Sequence, residues 1–170
     1  RFPLTCLYRS PKQGWLEKIM RGGRERGLAR LATADISGVR VLYKALKRGE
    51  AIGLLPDQVP SQGEGEWVDF FARPAYTMTL SGRLAQASGA TVLLAFAERL
   101  PRGAGFALRF EPLPLDLSRP MPPQINTALE RVIAISPAQY LWSYNRYKVP
   151  GGVVPPDEPT RALSVAALPM

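Results

Sequence analysis

The sequence predicts an α/β fold with a mostly parallel central sheet flanked by helices, and three observations predict it. Short apolar runs of strand length, residues 51–55 and 90–97, alternate with segments whose apolar residues recur at helical spacing. Hydrophobic residues make up 46% and charged residues 21% of the 170, an ordinary globular usage that excludes disorder over the whole length. A chain of this size buries roughly 70% of its unfolded surface, enough for a core without staples.

The elements follow in order. Phe2-Pro3-Leu4-Thr5-Cys6-Leu7-Tyr8 reads as an opening strand that Arg9-Ser10-Pro11 breaks. Trp15, Leu16, Ile19 and Met20 predict a first helix, which Gly22-Gly23 ends or loosens. Leu31-Ala32-Thr33 forms a short segment after the cluster Arg24, Arg26 and Arg30. Asp35 or Ser37 is placed to cap a second helix with the apolar face Val39, Leu42, Tyr43 and Leu46. Lys44, Lys47 and Arg48 suit the dipole of its last turn, and Gly49 stops it.

Residues 51–55 predict a buried parallel strand that ends in Pro56-Asp57-Gln58. A polar loop with Gly63 and Gly65 leads to Trp67-Val68-Asp69-Phe70-Phe71. Residues 77–88 predict a third helix ended by Gly89, and residues 90–97 a second central strand. A turn over 101–105 returns the chain as Phe106-Ala107-Leu108-Arg109-Phe110, in the period of a hairpin. Pro122-Pro123 opens a last helix through Leu129, Val132 and Ile133. The aromatic segment 137–148 is expected to seal the end of a core. The organisation is therefore one α/β domain over residues 1–149 and a loose Pro- and Gly-rich tail over 150–170. Arg1 runs straight into a strand, which predicts an N-terminally truncated domain.

Composition removes several chemistries. One cysteine, Cys6, and no histidine leave no intrachain disulfide, no multi-cysteine zinc site and no Ser-His pair. Cys6 lies among apolar neighbours and reads as core. The longest apolar stretches fall far short of the ~20 residues of a membrane-spanning helix. The net charge of +8 favours polyanionic partners, whether nucleic acid, anionic lipid or a phosphorylated substrate.

Several residues could carry chemistry. Arg24, Arg26 and Arg30 form either a phosphate clamp or a solvated basic face. Asp57 either begins a turn or presents a carboxylate to a hydroxyl or an arginine. Asp57 and Arg99 follow the two apolar runs, which puts both at the carboxyl edge of the expected sheet, where ligands gather. Thr77 and Thr79 are placed to cap the third helix.

Read in series, these signals form a pattern. Tyr8-Arg9 precedes Gly23-Arg24-Glu25-Arg26, and Ala45-Leu46-Lys47-Arg48-Gly49-Glu50 leads into Leu55-Pro56-Asp57-Gln58. Trp67-Val68-Asp69-Phe70-Phe71-Ala72-Arg73-Pro74-Ala75 follows with Thr77 and Thr79, then Ala87-Ser88-Gly89-Ala90 and Pro137-Ala138-Gln139-Tyr140-Leu141-Trp142. The series, over about residues 2 to 150, resembles the late acyltransferases of lipid A biosynthesis in Gram-negative bacteria, the lauroyl and myristoyl transferases.

The resemblance implies a glycerolipid-acyltransferase-like domain at the cytoplasmic face of the inner membrane, with no cofactor. It implies transfer of a fatty acyl chain from acyl carrier protein to a hydroxyl of a phosphorylated lipid A precursor, by a histidine followed after four residues by an acid. No residue here supplies that dyad, which is expected upstream of Arg1. Arg24 and Arg26 match the family's basic motif and Asp57 its Pro-Asp motif, while Arg9, Arg99 and Arg146 match further basic positions. All six are expected to bind substrate, with the membrane surface and acyl carrier protein as partners and nucleic acid excluded. Two other readings stay open: a non-enzymatic module for phosphorylated or anionic lipid, and a basic nucleic-acid-binding domain.

Overall fold

A computed structural model describes residues 2–11 and 13–156. Its centre is a three-stranded parallel sheet of β1 (Leu4–Tyr8), β2 (Ala29–Thr33) and β3 (Ala51–Gly53), in the order β2-β1-β3. Leu7 pairs with Ala32 and Thr5 with both Arg30 and Ile52, so β1 is the inner strand. Two helices connect the strands, α1 (Gly14–Arg24) between β1 and β2, and α2 (Ile36–Lys47) between β2 and β3.

The alternation of β1 decides what each helix covers. Tyr8 turns to α1, where its hydroxyl donates to Glu17 Oε2 at 3.2 Å. Leu7 turns the other way, into a core with Ala32, Leu42, Leu84 and Ile52. The chain leaves β1 toward β2 and then crosses back over β1 to β3. The two helices therefore lie on opposite faces, and β1 and β3 flank a topological switch point.

Asp35 caps α2 as expected, accepting from Ser37 Oγ at 2.6 Å and Gly38 N at 2.9 Å. These bonds, the Ser37 hydroxyl foremost, hold its carboxyl down at about 2. Gly38 is where α2 crosses β2 most closely, for a Cβ there would run into the Thr33 carbonyl. Gly49, at φ 74°, takes the left-handed conformation that stops the helix.

Three expectations are revised. The strand at 51–55 shortens to β3, which pairs with β1 alone among the described residues and so lies at an edge. The segment from Trp67 is the first arm of an antiparallel hairpin, β4 (Gly65–Phe70) with β5 (Arg73–Met78). Thr77 therefore lies in a strand, and helix α3 spans only Leu80–Ser88, ended by Gly89 at φ 71°. The supposed second central strand is β6 (Leu93–Arg99), which pairs antiparallel with β7 (Phe106–Pro112) and, among the described residues, not with the parallel sheet. The α/β class holds, with its parallel part confined to three strands.

The last helix, α4 (Met121–Ile135), begins one residue before Pro122-Pro123. Its Ile133 packs with Phe70 and Ala75 of the β4–β5 hairpin into a second core, sealed by Tyr140 and Tyr147 of the aromatic segment. The turn of that hairpin puts Phe71 and Ala72 at φ 49° and 54°, a pair of positions that favours Asn-Gly. Glu130 holds the strained turn by accepting from Phe71 N at 2.6 Å. Beyond Pro150, Gln62 donates to the Gly152 carbonyl and Trp67 to that of Val154. The rest of the expected tail, residues 157–170, lies outside the described residues.

Gly38→Ala forces the α2–β2 contact apart and is expected to lower unfolding free energy by ~1–3 kcal/mol, the range of an overpacked core. Urea denaturation monitored by circular dichroism measures it, and a stability within error of the unsubstituted chain would show that α2 shifts freely.

Candidate functional site

A cavity of about 600 Å³ opens at the carboxyl edge of the parallel sheet, beside the switch point. Leu7 and Arg9 reach it from the end of β1, Ala34 and Asp35 from the end of β2, and Leu55 from beyond β3. Val39 and Tyr43 of α2 face Leu80 and Leu84 of α3 across it. Val59 and Pro60 close it with Met78 and Thr79 at the end of β5. The interior is thus mainly apolar.

The charged residues stand apart from that lining. Arg9, Arg40, Lys44 and Arg83 reach the cavity from exposed positions, and none has an ion-pair partner within 4.0 Å among the described residues. Arg40 and Lys44 are one helical turn apart on α2. Against these four cations stand Asp35, already engaged by the helix cap, and Glu64, which accepts from Ser61 N. An apolar interior under a cationic rim suits an amphiphile with an anionic head.

Behind the cavity wall lies a second, buried polar cluster. The Arg146 side chain belongs to a residue 2% exposed and donates to the Tyr76 carbonyl at 2.8 Å, to Thr77 Oγ1 at 2.7 Å and to Asn126 Oδ1 at 3.5 Å. Its guanidinium carbon lies 5.2 Å from the Phe70 ring centre, while Nε has no hydrogen-bond partner among the described residues. Asn126, 1% exposed, donates to the Asp69 carbonyl at 2.8 Å and to Thr77 Oγ1 at 3.1 Å. Thr77 Oγ1 donates onward to the Ala75 carbonyl.

Asp57 stands near this cluster. Burial first, and then the Asp57 carboxylate, push the Tyr140 phenol up to about 12. Burial also draws the Arg146 guanidinium down, opposed by Tyr140 and Asp57. The six expected site residues therefore separate. Arg9 lines the cavity. Asp57 follows the cavity residue Leu55 by two positions and precedes Gln58, but its charge acts on Tyr140 and Arg146.

Arg24 lies 5.2 Å over the Tyr8 ring, on the α1 side of the sheet, and Arg26 is exposed in the loop to β2. Arg99 ends β6, where its backbone exchanges two hydrogen bonds with the Gln139 side chain. Arg146 is internal. Cys6 is half-buried in β1, and burial pushes its thiol up, which suits a core residue rather than a nucleophile.

Sequence reasoning passed over Arg40, Arg83 and Asn126. The spacing of Arg40 and Lys44 on the same turn as Val39 and Tyr43 marks a charged border to an apolar face. Nothing local marks a buried asparagine.

Comparison with known proteins decides the family. The model of the bacterial lipid A biosynthesis acyltransferases matches residues 2–149. The chain belongs to that family. It is 30% identical over 157 residues to a lipid A biosynthesis lauroyltransferase of Escherichia coli K12, covering 89% of this chain and 51% of the relative. It is 29% identical over 152 residues to a lipid A biosynthesis palmitoleoyltransferase of the same strain and to a lipid A biosynthesis acyltransferase of Shigella flexneri, covering 86% of this chain and 48% of each. The chain thus spans about half the length of these curated relatives.

The raised Tyr140 phenol sets an alkaline limit. With a folded pKa of about 12 against an ordinary 10.0, its contribution to stability is complete below pH 10 and is lost as pH rises toward 12. Tyr140→Phe is expected to remove that part of the alkaline limb in urea titrations. Asp57→Asn is expected to bring one phenol absorbance titration down from about 12 while leaving it above 10. A titration unmoved by Asp57→Asn would mean that this carboxylate faces elsewhere.

Proposed function

We propose that the protein acts in lipid A biosynthesis, in transfer of a fatty acyl chain from acyl carrier protein to a hydroxyl of a phosphorylated lipid A precursor at the cytoplasmic face of the inner membrane. The observation that carries this reading is the apolar cavity at the switch point with four cations at its mouth that have no ion-pair partner among the described residues. Family membership and the named activities of the relatives support it.

In such a transfer the acceptor oxygen forms a bond to the thioester carbonyl carbon, the carbon–sulfur bond breaks, and the hydroxyl proton passes through a base to the leaving thiolate. This chain has no histidine to serve as that base. Its part is to bind: the cavity takes an acyl chain out of water, and Arg9, Arg40, Lys44 and Arg83 hold the anionic groups at its mouth. Arg24 and Arg26 offer the acceptor's phosphates a second cationic surface on the α1 side of the sheet, while Asp57 lies in the loop after β3 and Arg99 ends β6. The net charge of +8 favours approach of an acidic carrier protein and of an anionic membrane surface.

A transfer assay tests this directly. The 170-residue chain alone is expected to remain at the no-enzyme background. In the full-length enzyme that this reading implies, Arg40→Ala and Arg83→Ala are expected to lower kcat/KM about tenfold or more, as do Arg24→Ala and Arg26→Ala, the scale of a lost hydrogen bond to a charged group. Lysine at the arginine positions is expected to restore only part, since it keeps the charge and loses the fork. Normal turnover by Arg40→Ala and Arg83→Ala would overturn the assignment of the rim, and normal turnover by Arg24→Ala and Arg26→Ala that of the second surface.

The cavity and the absence of histidine also suit a module that binds anionic lipid without catalysis. Clear binding of a lipid A precursor, with no transfer by any longer form of the protein, would favour that reading.

A further inference from the structure

Residues from Pro137 to Lys148 attach to the rest of the domain at four points. The Gln139 side chain donates to the Arg99 carbonyl and accepts from Arg99 N at the end of β6. The Tyr144 hydroxyl accepts from Val59 N at 2.9 Å. Arg146 holds the Tyr76 carbonyl and Thr77 Oγ1, and the Tyr147 hydroxyl donates to the Phe70 carbonyl at 2.9 Å. Two of these grips end beside the cavity itself. Val59 is a wall residue, 3% exposed, and Tyr76 and Thr77 immediately precede the wall residues Met78 and Thr79.

The loop from Leu55 to Glu64 has no ladder partner to hold that wall, because β3 stops at Gly53 and β4 starts at Gly65. Backbone bonds hold its two ends, Gln58 N to the Leu55 carbonyl, Glu64 N to the Ser61 carbonyl and Thr79 N to the Glu64 carbonyl, and side chains add the other supports. Tyr76 receives Gly63 N and Gly65 N on its hydroxyl, Glu64 receives Ser61 N, and Tyr144 receives Val59 N. Two bonds join the loop to distant parts of the chain: Gln62 donates to the Gly152 carbonyl, and Val59, the buried wall residue, donates to Tyr144, 85 residues away. Neither Tyr144 nor Arg146 lines the cavity.

From this geometry we infer that Tyr144 and Arg146 are positioning residues: they set the shape of the acyl-chain cavity from behind, and so its preference among chain lengths, without touching the ligand. The inference rests on the reading of the cavity as an acyl-chain site. Release of the Tyr144 grip frees the wall from Gln58 to Pro60 to move outward. Release of Arg146 loosens the end of β5 opposite α2.

Tyr144→Phe is the decisive variant, because it removes one acceptor and keeps the ring. Amide hydrogen exchange on the 170-residue chain is expected to quicken at Val59 about fivefold or more, the worth of one net hydrogen bond, while amides of β1 and α2 keep their rates. Displacement of a fluorescent fatty acid by saturated fatty acids of graded length is expected to show a changed order of affinities in Tyr144→Phe. Arg146→Lys is expected to return toward the unsubstituted order where Arg146→Met does not. An unchanged Val59 rate, or equal quickening of all amides, would overturn the positioning role. An unchanged order of affinities with a quickened Val59 would overturn the selectivity it is said to control. If no fatty acid of any length displaces the probe from the unsubstituted chain, the acyl-chain reading fails and the selectivity claim falls with it. The Val59 rate then still decides whether Tyr144 holds the wall.

Discussion

Arg146 carries a positive charge into a site where 2% of the residue stays exposed, and the surrounding architecture answers that charge. Burying an unpaired guanidinium costs several kcal/mol, so the site must offer oxygens and a countercharge. The Tyr76 carbonyl, Thr77 Oγ1 and Asn126 Oδ1 supply the oxygens, the Phe70 ring supplies a π face, and Asp57 supplies the nearby negative charge. These groups come from β5, α4, β4 and the loop after β3. One side chain thereby ties the antiparallel hairpin, the last helix and the cavity loop to the end of the domain.

This tie explains the coexistence of two cores. Leu42, Ala32 and Leu84 form one between the parallel sheet and its helices, and Phe70, Ala75 and Ile133 form the other between the hairpin and α4. The cavity opens where the first core meets the end of the hairpin, since its lining draws on β1, α2 and α3 on one side and on Met78 and Thr79 on the other. A site between two packed units keeps an apolar interior without filling it, as ligand clefts commonly do.

The doubly wound arrangement supplies the other half of the design. The order β2-β1-β3 forces the connections onto opposite faces and leaves the carboxyl ends of β1 and β3 uncovered between them. Arg9 and Leu55 reach the cavity because of that topology, while Arg24, carried by α1, comes to rest over Tyr8 on the opposite face.

Local signals were legible wherever a single element carried them. The cap at Asp35, the stop at Gly49, the left-handed end at Gly89, the proline start of α4 and the β6–β7 hairpin all depend on backbone preferences of a few residues. The series of short motifs also identified the family, because order and spacing survive where individual motifs are weak. Strand partnership was not legible. Residues 93–99 have the apolar content of a central strand, yet they pair with β7 alone among the described residues, since pairing is settled by which edge lies within reach. Nor did the sequence show that Arg146 is internal, that Asn126 bridges it to Thr77, or that Arg40 and Arg83 meet at one cavity. Those facts need residues 20 to 70 positions apart to be brought together, and only the packed chain, with its buried charge seeking oxygens, brings them there.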